Sequence, residues 1–259
     1  MKEDKHAESI ELTDYEDLLK KHPLVEHAMP RNVLEHMRKT DKATRKHLKS
    51  LWEENVKWNI NKNVPKYGWV NDSFLGMGQA LYDGNRLVRP GKAIMAIGSG
   101  PSLNKNRDVL HDILVADGIR SFDEQMFLSM APNHEIKPCL NSGIYPHFAI
   151  VGDASPHLKD QLDVGEDGKH TILIAGLNVH PDVIDVWPGP VRFMMQRNEI
   201  VRGIVEEETG EKVDINRCII EGGNILNASY ILALGLFRSP AWFCVGNDLS
   251  YPMEKDGEK

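Results

Sequence analysis

The chain has 259 residues, 41% of them hydrophobic and 27% charged, which is enough apolar material for one sizeable core plus a small appended segment and excludes intrinsic disorder as the default state. A formal charge of −7 and a pI near 5.9 argue against a protein that holds nucleic acid through a general basic surface. Cys139, Cys218 and Cys244 are odd in number and lack CxxC spacing, and no apolar run reaches secretion-signal or transmembrane length. Free thiols, a cytoplasmic compartment and neither nucleic-acid nor membrane partners are expected.

From about Leu12 to Ile60 the pattern is helical, with Leu48, Leu51, Trp52 and Val56 on one face and Lys and Glu on the other. Pro65, Gly68, Asn71 and Asp72 interrupt the periodicity, and Gly84, Pro90 and Gly91 punctuate the approach to the first convincing strand. The boundary is set near Pro90, giving an N-terminal helical segment over 1–90 and a Rossmann-like nucleotide-binding domain over 91–259. In the latter, short apolar runs alternate with helical stretches, as in parallel strands joined by crossover helices. Strands are predicted at Ala93 to Ile97, Gln125 to Met130, Phe148 to Val151, Thr171 to Ala175, Val191 to Met195 and Ala241 to Val245. Helices are predicted at Lys105 to Ala116, Pro132 to Asn141 and Ile225 to Leu236. The expected class is α/β, Rossmann-like, with a mostly parallel sheet flanked by helices.

Three features can carry chemistry. The strand Ala93 to Ile97 runs into Gly98-Ser99-Gly100-Pro101-Ser102-Leu103, a small-residue turn before a helix. There free backbone N–H groups, glycines without Cβ atoms and the Ser102 hydroxyl suit an anion, favoured further by the helix dipole. The turn lacks the Lys-Ser/Thr ending of a P-loop and the third spaced glycine of a dinucleotide fingerprint, so it does not specify a cofactor. Second, Phe148 to Val151 delivers Asp153 to the C-terminal end of a strand, where a carboxylate can meet a ribose, hold Mg²⁺, act as a base or simply cap the next helix. No DxD follows. Third, Glu221-Gly222-Gly223-Asn224 precedes an apolar helix, and Asp248 and Tyr251 follow the last strand. Two glycine turns and two carboxylates along one sheet edge make a candidate site. The eleven histidines include no pair at helix-ligand spacing beside a carboxylate, so zinc is not expected. Ser99 and Ser102 lack the GxSxG frame of a serine hydrolase.

Taken together, Ala96 to Leu103, Gly143 to Asp153, Gly222-Gly223-Asn224 and Val245 to Tyr251 resemble the family that joins motility-associated-factor glycosyltransferases with archaeal 6-hydroxymethylpterin diphosphokinase. The likeness spans roughly Trp52 to Pro252. Bacterial sialyltransferases of the Campylobacter type look like more distant relatives through the Gly-Pro-Ser-Leu loop. The resemblance implies that Gly98, Ser99, Gly100, Pro101 and Ser102 hold nucleotide phosphates, with Asp153 beside the nucleotide or its sugar. It further implies that Gly222, Gly223 and Asn224 close the pocket, that Asp248 and Tyr251 stand at its rim, and that Asn133 and His134 occupy the segment where the transferases contact the nucleotide. Those transferases continue past this point into a lid carrying acceptor contacts, which a sequence ending at Lys259 does not include. The leading expectation is a transferase using a nucleotide-activated, CMP-type sugar and a protein or glycan acceptor, with Asp153 and Asp248 as the catalytic carboxylates and no resident metal. The alternatives are a Mg²⁺-dependent diphosphokinase passing pyrophosphate from ATP to a pterin alcohol, and a non-catalytic nucleotide-binding or structural protein.

Overall fold

The computed structural model describes residues 49–118, 124–219 and 225–247. The chain divides into two units, Met1–Lys49 and Ser50–Lys259, and the second holds nearly all of the described residues, Pro90 among them. That unit opens with helix α1, helical over 50–58 and continuing through a π turn, Asn59–Asn63, to Val64–Tyr67. Gly68, at φ +81°, ends it. A short α2 (Val70–Phe74) and a hairpin, β1 (Leu81–Asp83) and β2 (Arg86–Arg89), follow. The hairpin was not anticipated. Its turn uses Gly84 and Asn85, both at positive φ, the arrangement that matches the twist of paired antiparallel strands.

Six parallel strands form the main sheet: β3 (Ala93–Ile97), β4 (Phe127–Pro132), β5 (Phe148–Val151), β6 (Ile172–Gly176), β7 (Val191–Met194) and β8 (Trp242–Val245). Their spatial order is β7-β6-β5-β4-β3-β8. The chain therefore builds outward from β3 to β7 and then returns to the other side of β3. This reversal is the place where the loops after two adjacent strands diverge and leave a crevice. The connecting helices are α3 (Pro101–Gly118), α4 (Asn133–Asn141), α5 (Lys159–Leu162), α6 (Pro181–Asp185), α7 (Glu199–Thr209) and α8 (Ile225–Ile231), the last running into a π turn at Leu232–Leu236.

Both sheet faces are covered over β3 to β7, which explains why these strands read as continuous apolar runs rather than alternating ones, while the edge strand β8 is only half-buried. Met95, Ile97, Ala149, Val151, Leu173 and Phe193 point to one face and pack with α3, α4, α6 and α7. Ile94, Phe148, Ile150, Ile174 and Met194 point to the other, against α8 and its π turn. Phe74 of α2 meets the Phe148 and Phe237 rings edge-on, at centroid distances of 5.5 and 6.0 Å. Among the described residues, no helix is long and apolar enough to cross a membrane.

The sequence reading identified α1 by its apolar face, but its asparagines matter more. Asn55, Asn59 and Asn63 are buried at four-residue spacing on one helix face. Asn59 Nδ2 donates to Leu177 O at 2.8 Å and Val179 O at 2.7 Å, and Asn63 Nδ2 donates to Asn59 Oδ1 at 2.7 Å. Asn55 Nδ2 donates to Asn178 O at 2.9 Å and Ala154 O at 3.3 Å. Beneath them, Asn178 Nδ2 donates to Gly152 O, and Gln196 Oε1 accepts from Asn178 N. α1 thus seals the loops after β5 and β6, where main-chain carbonyls would otherwise be buried unpaired. At the lateral edge, Phe193 N donates to Gly68 O and Trp69 bridges Phe193, so β7 is not an open sheet edge.

Replacing Asn59 by alanine removes two buried donors at once. An unsatisfied buried carbonyl costs roughly 1–3 kcal/mol, so Asn59→Ala should lower stability in urea unfolding by about 2–4 kcal/mol.

Candidate functional site

The crevice is built by close main-chain approach of the strand ends on either side of the reversal. Gly98 N donates to Val245 O at 2.7 Å, and Gly100 N donates to Gly246 O at 2.5 Å. A Cβ on Gly98 would lie 2.6 Å from Gly246 O and 2.9 Å from Leu226 Cδ1. A Cβ on Gly246 would collide with Gly98 O and sit 2.9 Å from Leu103 Cβ, and Gly246 also has φ +75°. These glycines are required by each other.

The loop accordingly differs from the expected cradle of free amides. The Gly98 and Gly100 N–H groups serve β8, Leu103 N bonds Gly100 O, and Pro101 has no N–H. What the loop turns outward is a side chain: Ser99 is exposed, and its Oγ lies 2.8 Å from His134 Nε2. Among the described residues only Asn85 and Arg238 are non-glycine positions with positive φ, so Ser99 lacks the strained backbone of a nucleophile elbow.

His134 is the second residue of α4, whose N-cap, Pro132, supplies no side-chain acceptor, so the first-turn amides are not capped locally. Partial loss of water around the imidazole lowers its pKa below the ordinary value, favouring the neutral ring at pH 7. The N-termini of α3 and α4 are thereby joined by one solvent-facing hydrogen bond. The sequence placed His134 with Asn133 in the segment after the second strand, but not its pairing with Ser99, 35 residues away. Asn133, which the sequence did single out, donates from Nδ2 to Gln161 Oε1 at 2.5 Å, towards α5.

Asp153 is exposed beyond β5, and its Oδ1 accepts from Ser155 N at 2.9 Å. The cap of the following 3-10 turn, Pro156–Leu158, is Ser155, whose Oγ accepts from His157 N at 3.3 Å. Asp153 therefore shapes the loop leading to the cap rather than acting as the cap. Gly222, Gly223, Asn224, Asp248 and Tyr251 lie outside the described residues.

Two further features adjoin the loop. An open cavity of about 480 Å³ runs between α3 and β8, lined by Ser102, Asn106, Leu110, Trp242, Cys244 and Asn247 among others. That volume is in the range of small-molecule sites. One residue past His134, Glu135 is 6% exposed and its Oε2 has no hydrogen-bond partner. Burial raises its pKa, opposed in part by Arg107. The same burial, reinforced by Glu135, pushes the Cys139 thiol up to about 12, which marks it as inert. Among the described residues no group of three or more His, Cys, Asp or Glu is arranged to hold a metal ion.

A six-stranded parallel sheet flanked by helices, with its strand order reversing at β3 and a cavity beside β8, defines an α/β protein of Rossmann-like class. The chain belongs to the 6-hydroxymethylpterin diphosphokinase MptE-like family, whose model matches residues 78–254. Among solved structures it is similar to the MAf glycosyltransferase from Magnetospirillum magneticum AMB-1, at 16% identity and a TM-score of 0.49. That likeness covers 82% of this chain but only 29% of the glycosyltransferase chain. Comparison with curated proteins gave no match.

Glycine substitutions measured by urea unfolding test this geometry. Gly98→Ala should cost about 1–3 kcal/mol through overpacking against main chain, and Gly246→Ala should cost about 1–2 kcal/mol from its left-handed backbone alone. Gly203→Ala in α7, where an added Cβ meets nothing within 4 Å, should instead gain roughly 0.5–1 kcal/mol. For Glu135, a folded pKa above the unfolded value means that its contribution is fully present below about pH 4.5 and is lost as pH rises through the folded value. Glu135→Gln should therefore raise the melting temperature near pH 7 while leaving it almost unchanged near pH 4.

Proposed function

We propose that the chain is a transferase that binds a nucleoside triphosphate at the β3–β8 crevice and passes a diphosphoryl group to a hydroxyl acceptor of the hydroxymethylpterin kind. The observation that carries this reading is the Gly98–Gly246 apposition, which turns Ser99 outward at the strand-order reversal, beside a ligand-sized cavity. The membership in a family described by its diphosphokinase supports the group transferred and the acceptor.

In this reading the triphosphate lies across the N-termini of α3 and α4, whose dipoles offset its charge, with the Ser99 and Ser102 hydroxyls as donors. The nucleoside occupies the cavity between α3 and β8. The acceptor oxygen attacks the β-phosphorus, the bond from that phosphorus to the bridging oxygen of the α-phosphate breaks, and the nucleoside monophosphate leaves with the electron pair. A single exposed carboxylate suits Mg²⁺, which is commonly held by one or two carboxylates plus phosphate oxygens and water. Asp153, with one oxygen committed to Ser155 N, is the residue that would share it. When bound, Mg²⁺ would neutralise charge on the phosphates.

Thermal unfolding against ATP, CMP, CDP, UDP and GDP, each with and without Mg²⁺, tests the reading. At a ligand concentration about 100-fold above Kd the native state gains about 2.7 kcal/mol, a rise of several degrees. A Mg²⁺-dependent shift with ATP, and AMP formation when a hydroxymethylpterin is added, are expected. A metal-independent shift with CMP would replace this reading by transfer from a CMP-linked sugar, and no shift with any nucleotide would leave a structural protein.

A further inference from the structure

We propose that His134 is the general base of the transfer, taking the acceptor hydroxyl at Nε2 in place of Ser99 Oγ. This inference rests on the diphosphoryl-transfer reading and names the proton acceptor at that site. It is argued from placement. Ser99 Oγ and His134 Nε2 are 2.8 Å apart, both residues are exposed, and together they bridge the loops after the neighbouring strands β3 and β4. An acceptor hydroxyl can exchange for a solvent-facing bond of this kind without uncovering a buried group.

The position of His134 in α4 adds to the case. Pro138 lacks the N–H that would donate to the His134 carbonyl in the usual helical pairing, so the first turn of α4 is not fully held by its own ladder. Asn133 and Glu135 on either side have other engagements, towards Gln161 and into the interior. His134 is left as the side chain of this turn that faces the glycine loop. Loss of water around the ring keeps it neutral near pH 7, the state a base needs. Asp153 is the other ionisable candidate, but its Oδ1 is already bound within its own loop.

The step balances as follows. The acceptor O–H bond breaks and its proton passes to Nε2, while the oxygen forms its bond to the β-phosphorus of the nucleoside triphosphate. The bridging oxygen departs on the nucleoside monophosphate with the electron pair, and the imidazolium returns its proton to solvent. Removing a positioned acid or base commonly costs 10²–10⁴-fold. His134→Ala should therefore lower kcat by about 10²–10⁴-fold with little change in the stabilisation given by ATP and Mg²⁺, and added imidazole should restore part of the lost rate. Ser99→Ala, which removes the resting partner of Nε2 and one phosphate donor but not the base, should lose roughly three- to tenfold.

A readout independent of turnover completes the test. On addition of ATP and Mg²⁺ to the full chain, the His134 ring-proton resonance should move in the NMR spectrum. A protein stabilised by ATP in which His134→Ala turns over at the wild-type rate, or in which the His134 resonance stays put, would overturn the base assignment alone. A protein that no nucleotide stabilises would overturn the transfer reading and the assignment with it.

Discussion

The architecture of this edge depends on main chain meeting main chain where β3 and β8 end. Gly98 and Gly246 approach so closely that neither tolerates a Cβ, and the Gly98 and Gly100 amides are spent on the β8 side of the contact. From this follow the start of α3 at Pro101, the outward placement of Ser99 and its meeting with His134. A glycine loop after a strand is easily read as a phosphate cradle of amides. Here the amides hold the sheet together across its topological reversal, and the outward donors are side chains.

The rest of the sheet's C-terminal edge is arranged in the opposite way. Over β5 and β6 the loop carbonyls are closed by the asparagines of α1, and Gln196 after β7 joins the same network. α1 also reaches α7, where Asn61 Nδ2 donates to Glu208 Oε2, so one half of the edge is sealed by buried polar groups while an open cavity lies beside β8 on the other. Glu135 of α4 is buried with an unpaired oxygen. Natural structures tolerate such a cost where function sets the sequence, and its position one residue past His134 agrees with that pattern.

Much of the fold was legible because buried parallel strands read as short apolar runs. Ala93–Ile97 and Phe148–Val151 were located as they stand, and β4 lies about two residues later than expected because its core residues extend through Ala131 to Pro132. The hairpin at 81–89 was missed because its large apolar residues are exposed and Gly84 was read only as punctuation. α7 was missed despite plain signals at both ends: the Asn198 side chain caps its first turn and Gly210 closes it in the left-handed conformation. The glycine loop and Asp153 could be found along the sequence because each directly follows a strand. The Ser99–His134 pairing and the Gly98–Gly246 contact could not, since both arise from which strands lie side by side. The spacing of Asn55, Asn59 and Asn63 was visible, but their shared helix face acquires meaning only once the carbonyls of the β6 loop are opposite them.

The central claim is that an anionic phosphate chain is held where β3 and β8 part, between the first turns of α3 and α4. Titrating inorganic pyrophosphate into isotope-labelled protein and following backbone amide resonances tests it most directly. The account predicts the largest shifts at Ser99, Ser102, Asn133 and His134, with the asparagine-sealed loops after β5 and β6 little affected. Shifts centred on those sealed loops, or saturable binding that leaves Ser99 and His134 unmoved, would contradict it.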